Sequence, residues 1–263
     1  MMNNGLRLYV RYLGVTARAQ MQYRASMLIH AVGQFVLTLF EFVGIWVLFA
    51  RFGSLQGYGL PEIALLYGMA SLSFAASESL AFGFDDFARL VVTGDFDRLL
   101  LRPRSTALQV AAQDVRLLRL GRVTQGIFVF AWALHALPIA WTIPRVLLLV
   151  SALIGGACTF AAIFVAQATL AFFTTQGLEV ANTITYGGME TAKYPLPIYD
   201  KWFARFFTYV IPLACMNYLP AMVIIGRSDS LAGWLSPLVG PAFLVLSLKL
   251  WGFGVRHYRS IGA

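Results

Sequence analysis

Six apolar runs, each close to the length of a bilayer-crossing helix, decide what this chain can fold into. A helix rises 1.5 Å per residue, so about 20 mostly apolar residues cross a hydrocarbon core of ~30 Å. The runs cover about 27–50, 61–83, 123–139, 146–173, 206–225 and 238–255. Only 12% of the 263 residues are charged and 59% are hydrophobic. Soluble domains carry about 25% charge, so the composition points away from an ordinary globular core. The expected fold class is therefore all-α: one polytopic membrane domain over 1–263 with six transmembrane helices. The first run begins near Met27 and is too long for the apolar core of a cleavable signal peptide.

The chain ahead of that run has its own pattern. Leu6, Val10, Leu13, Ala17 and Met21 fall on one helical stripe, and Arg7, Arg11 and Arg18 on another. Residues 5–26 therefore read as an amphipathic interfacial helix with its basic side toward anionic headgroups. The fourth run is rich in small residues (Ala152, Gly155, Gly156, Ala161, Ala162, Ala166), which lets helix backbones approach closely and places it inside the bundle. The fifth contains Pro212 and Pro220, so it reads as kinked or broken and partly re-entrant. Two polar connections remain, 84–122 and 174–205. In the second, Tyr194-Pro195-Leu196-Pro197 argues against a continuous helix.

The net charge of +8 raises the question of nucleic acid. Sixteen of the twenty lysines and arginines lie in the N-terminal segment, the two polar connections and the tail. Only Arg51, Arg145 and Arg227 lie in the other three connections, and Lys249 sits inside the last run. Positive charge is retained on the cytoplasmic side of membrane proteins. The asymmetry therefore sets both termini and both large connections in the cytoplasm, in a cell (inner or plasma) membrane, and no nucleic-acid partner is needed to explain the charge.

Chemistry-bearing motifs are scarce. The sequence has no GxxxxGK[ST] phosphate loop, HExxH, GxSxG or GxGxxG, so it is not read as an enzyme and no cofactor is expected in it. Cys158 and Cys215 both lie in apolar runs and have no metal or disulfide spacing. Glu41 stands near the middle of the first run, with Thr38 and Gln34 at successive turns below it. A carboxylate at that depth is costly in lipid and must face the bundle or a water-filled path. Two readings stay open: a substrate pathway lined by Glu41, Gln34, Gln167 and Asn217, or a hydrogen bond from Glu41 to Gln167 or Gln125. Glu78, with Asp85 and Asp86, lies near the end of the second run and is expected to pair with nearby arginines.

The most punctuated polar stretch is Gly94-Asp95-Phe96-Asp97-Arg98-Leu99-Leu100-Leu101-Arg102-Pro103. Gly94 breaks the preceding segment, Asp95 is placed to cap a new helix, and Pro103 stops it at Arg102. The product is a two-turn helix with Phe96, Leu99 and Leu100 on one face and Asp97, Arg98 and Arg102 polar, suited to docking on another protein.

This run resembles the signature of one branch of the type-2 ABC exporter permeases. So do Tyr194-Pro195-Leu196-Pro197-Ile198-Tyr199, Ile211-Pro212 with Asn217-Tyr218-Leu219-Pro220-Ala221, and the tail His257-Tyr258-Arg259-Ser260. The resemblance implies a six-span permease with an N-terminal interfacial helix and a coupling helix over 95–102. It implies docking on separate ATP-binding-cassette ATPase subunits, which would carry the ATP and Mg, and pairing with a second permease as a heterodimer rather than a homodimer. It also implies an extracellular-side lid after Ile211. The rival class is a membrane carrier or scaffold that works without a motor, with Glu41 as an intramembrane ion or proton site.

Overall fold

The computed structural model describes residues 9, 14, 15, 18, 22, 24–113, 120–174 and 178–258. Among them all the regular structure is helical, apart from one isolated bridge, Leu55 to Tyr58, in a turn. The long helices are α1 (Arg24–Phe52), α2 (Leu60–Asp85), α6 (Leu120–Ala136), α7 (Ile143–Leu170), α8 (Leu178–Ala192) and α13 (Val239–His257). Between α2 and α6 come three six-residue helices, α3 (Phe87–Val92), α4 (Asp95–Leu100) and α5 (Thr106–Ala111). Between α8 and α13 come α9 (Lys201–Arg205), continued as a π-helical turn over Phe206–Val210, then α10 (Leu213–Met216), α11 (Tyr218–Ile224) and α12 (Leu231–Leu235).

Four helical stretches are long and apolar enough to cross a membrane: Ala25–Phe52, Leu60–Val92, Ile143–Leu170 and Leu231–His257. They match four of the six apolar runs, and the protein is a multi-pass membrane protein. The third run forms α6, whose 17 residues span ~26 Å, short of a full crossing. The fifth run is broken, as its prolines predict. Lys201–Val210 meets Leu213–Ile224 at a bend of 72°, and the two count at most as a fifth crossing. Pro212 cannot continue the backbone ladder of the π-turn, and the chain restarts beyond it. Most of 5–26, the expected interfacial helix, lies outside the described residues. Tyr9 hydrogen-bonds the Leu80 carbonyl at 2.7 Å.

The fourth run is the hub. α7 packs against α13 on one side and α2 on the other, α2 packs on α6, and α1 leans mainly on α6. The small residues permit this closeness. A Cβ on Gly240 of α13 would fall on the Gly155 carbonyl of α7, and one on Gly155 would meet the Pro237 carbonyl. Backbones this near gain dispersion contacts, the main attraction between helices where lipid is as apolar as the side chains.

The 174–205 connection departs from its reading as an irregular polar stretch. Leu178–Ala192 is a 15-residue helix packed on α7 and α2, with Thr185 and Met189 buried. Its polar residues meet partners on other helices, so hydropathy alone scores it as a loop. The Tyr194–Pro197 break falls where the sequence places it, just past the helix end.

Candidate functional site

The polar segment between the second and third runs builds a knob on an aromatic base. Gly94 enters the left-handed region (φ +72°), a turn that a residue with a Cβ adopts only at a cost. Gly94, not Asp95, is therefore the residue flanking α4. Asp95 is already helical, accepts a hydrogen bond from Thr93 Oγ1 at 2.8 Å and pairs with Arg98 at 3.4 Å. The expected apolar face is also redrawn. Phe96 and Leu99 are buried at 0% and 5% exposure, but Leu100 is 40% exposed and Leu101 86%. A six-residue helix turns only one side to the core, and Leu100 and Leu101 fall off that side. The helix ends at Leu100; Leu101 and Arg102 complete the turn before Pro103.

Phe96 enters a cluster of rings from three other parts of the chain. Its centroid lies 5.0 Å from Phe87, 5.4 Å from Phe172, 6.1 Å from Trp251 and 5.1 Å from Tyr258. Phe84 adds a further ring, 5.0 Å from Trp251. Edge-to-face pairs of this kind add about 0.5–1.5 kcal/mol each beyond area burial. α4 is thus fastened to α3, to the turn after α7 and to the end of α13 together. Burial and the neighbouring Asp97 carboxylate push the Tyr258 phenol's pKa above its ordinary value, so it stays a neutral partner to Asp97. From α5, Gln109 donates to the Leu99 and Arg104 carbonyls, both at 3.2 Å. Outward, the knob shows Leu101, a largely exposed Arg98, Arg102 and Arg104. Beside it a charged cavity of about 370 Å³ is lined by Asp86, Arg89, Asp95, Arg98 and Arg102 among others.

A second constellation lies within the bundle. Glu41 meets neither Gln167 nor Gln125 in a hydrogen bond among those seen. Its partner is Lys193, just past the end of α8, whose ammonium also bonds Glu190 at 2.7 Å and sits 4.9 Å from the Tyr67 ring centre. Lys193 is 1% exposed, whereas the Glu41 side chain is 37% and that of Glu190 59% exposed. A buried ammonium requires compensation, and two carboxylates plus an aromatic face provide it. Although Lys193 belongs to the polar 174–205 connection, it follows directly on α8 and is buried in the bundle. The legible signal is Glu190 and Lys193 at i, i+3, together with a mid-run Glu41 that needs a counter-charge.

The other pathway candidates separate. Gln167 donates to Asn182 at 2.6 Å and accepts from Thr185 at 2.8 Å, beside Asp85, which accepts from Tyr186 at 2.8 Å. This network joins α2, α7 and α8. Asn217 stands at the break between α10 and α11, and its amide holds the Leu66 and Ala192 carbonyls. It is a staple for the broken helix. Gln34 is half-buried on α1, two turns from Glu41, and its carbonyl accepts from Thr38 at 2.8 Å. Gln125 accepts from the Tyr67 hydroxyl at 3.4 Å. Glu78 lies 3.8 Å from Arg122 and Asp86 2.6 Å from Arg89, the arginine pairing expected of them, while Asp85 turns to Tyr186 and Gln167.

A helical membrane bundle with an anchored polar knob between two of its helices fits the membrane component of a transporter. The model of the ABC-2 family transporter proteins matches residues 35–262, most of the chain. The chain belongs to that family and is a permease component of an ABC transporter, associated with ABC ATPase subunits. No curated protein and no solved structure matches it.

Proposed function

We propose that this protein is the permease of an ABC exporter and that residues 94–103 are its contact with the ATPase. The observation that carries the reading is the two-sided character of α4: Phe96 is locked among rings from the Leu60–Val92 stretch, the turn after α7 and the end of α13, while Leu101 and Arg98 face outward on the other side. A push on the exposed side is delivered to three long helices at once. ATP and Mg belong to the partner ATPase, and the permease turns ATP-driven closure there into rocking of its own helices.

In this reading the chain makes six crossings. α6 with the residues before it supplies the third, and α8 to α11 supply the fifth as a broken element whose part after Ile211 forms the extracellular-side lid. Both termini lie in the cytoplasm, the membrane is the cell (inner or plasma) membrane, and the partner permease is a different chain. Support for the orientation comes from the arginine and lysine asymmetry. Glu41 with Lys193 and Glu190 lines the path or braces it. Two exposed carboxylates at that depth belong against water or protein, since lipid would not tolerate them.

The test is charge reversal on the knob, Asp97→Lys with Arg98→Glu, in the permease co-expressed with its ATPase. ATPase activity should continue with transport lost and the permease still in the membrane. Transport that follows ATP hydrolysis as in the unaltered protein would remove the coupling assignment. The rival reading, an ion site at Glu41 without a motor, requires transport that dissipates with the proton gradient and vanishes in Glu41→Gln.

A further inference from the structure

The charged cavity beside the knob, about 370 Å³, has walls of two kinds. Its floor is made of close packing. Gly83 of α2 lies so near α5 that a Cβ there would fall on the Val110 carbonyl, and the buried Leu90 and Leu99 line the space beside it. Its rim is charged and within reach from outside. The side chains of Arg98 and Arg89 are 81% and 62% exposed, and Arg102 and Gln113 are exposed as well. The volume falls within the range of ligand sites, about 300–1,000 Å³, and exceeds the voids that side-chain packing leaves.

The charges around the cavity do not balance. Three arginines, Arg89, Arg98 and Arg102, line it against two aspartates, Asp86 and Asp95. Arg89 is committed: its Nε and Nη2 donate to Asp86 at 2.8 and 2.6 Å. Asp95 is divided. It accepts from Thr93 at 2.8 Å and lies 3.4 Å from Arg98, longer than the usual charge-assisted hydrogen bond of about 2.7–2.9 Å. The Arg102 side chain has no ion pair or hydrogen bond among the described residues. Arg98 and Arg102 stand one turn apart, which brings their side chains to the same side. A guanidinium is a planar fork of donors that matches a carboxylate or phosphate in two parallel hydrogen bonds. A surplus positive charge and two forks with unused donors call for an anionic occupant.

The setting of the arginines selects the anion. Segments that bind lipid headgroups are runs of cations. Here Asp86, Asp95 and Asp97 are interspersed with Arg89, Arg98 and Arg102, a pattern suited to a partner whose own charges are fixed in place. Leu101, next to Arg102, is 86% exposed. Covering it with protein would dry the surroundings of the arginines and strengthen an ionic contact there. We propose that the cavity receives a carboxylate side chain of the partner ATPase, held between the Arg98 and Arg102 guanidinium groups. The inference rests on the reading of residues 94–103 as the ATPase contact and adds the group that the partner presents. Asp95, exposed and only loosely paired with Arg98, yields that guanidinium at little cost.

The test uses the permease in nanodiscs, titrated with its ATPase. Arg102→Ala should weaken binding on the order of tenfold and Arg102→Glu on the order of a hundredfold, with Arg102→Lys between alanine and the unaltered protein. The loss in Arg102→Ala should shrink as salt is raised. The unfolding temperature should not move, because the Arg102 side chain has no partner to lose. A photoreactive p-benzoylphenylalanine in place of Gln113 should cross-link to the ATPase. Exchanging the acidic residue nearest that adduct for lysine should restore binding to Arg102→Glu. Leu101→Asp separates this inference from the reading beneath it. If Leu101→Asp weakens binding while Arg102→Glu binds as the unaltered protein does, the contact stands and the carboxylate seat is refuted. If neither weakens it, the ATPase contact falls and the seat with it. A cross-link from position 113 only to phospholipid, or only within the permease, would assign the cavity to the membrane or to this chain itself, and either result refutes the proposal.

Discussion

Lys193 is the most consequential single residue in the bundle, because its ammonium is buried while the two carboxylates that neutralise it are partly exposed. The asymmetry predicts which substitutions hurt. Glu41→Gln leaves Glu190 in place and should be tolerated, as should Glu190→Gln. The double change strands a buried charge and should cost about 3–5 kcal/mol, far more than the two single effects together. Adding Lys193→Met to the double variant should restore most of the loss. Thermal unfolding in detergent across the four variants measures this; additive losses would mean that Lys193 finds compensation elsewhere. Lys193 was legible only in part. Glu41 identifies itself as a charge in need of a partner, but the partner lies 152 positions away, and no spacing rule connects them.

At the scale of an element, α4 separates two functions that its sequence mixes. Phe96 and Leu99 anchor, whereas Leu101 and Arg98 face outward. Phe96→Ala should therefore destabilise the protein by about 3–5 kcal/mol, as other large-to-small changes among packed rings do. Leu101→Asp should leave the unfolding temperature unchanged yet weaken retention of the ATPase on the purified permease. Equal effects of the two substitutions on both readouts would contradict the division. A short helix between the Gly94 break and Pro103 could be read directly from the chain, but its flanking residue, Gly94 rather than Asp95, and its end at Leu100 could not. Nor could the choice of which leucine points outward. Leu99, Leu100 and Leu101 are chemically alike, and the choice among them is made by rings contributed from α3, the turn after α7 and the end of α13.

For the whole molecule, the arrangement of the helices predicts how the chain is exposed. Single cysteines at Ser54 and Ser228 should react with a membrane-impermeant thiol reagent from outside intact cells, after Cys158 and Cys215 are changed to serine. A cysteine at Leu101 should react only after permeabilisation. The reverse pattern would invert the topology drawn from the arginine and lysine distribution. The two loops that carry Ser54 and Ser228 are also joined: Arg227 pairs with Glu62 at 2.6 Å and donates to the Gly57 carbonyl at 2.7 Å, which places both on one side.

The sequence by itself determined the class of this protein: long apolar runs leave helices as the only way to satisfy backbone groups in lipid, and that rule is local to each segment. It also determined where the chain breaks, because Gly94, Pro103, Pro195 and Pro212 act through their own backbone. Only the tertiary structure decided that part of the 174–205 connection is a packed helix, that Glu41 belongs to Lys193 while Gln167 belongs to Asn182 and Thr185, and that Gly155 of α7 packs against Gly240 of α13. The physical reason is common to these cases. Polar pairing and close packing are settled between residues far apart in the chain, and a one-dimensional pattern shows only that each residue needs a partner.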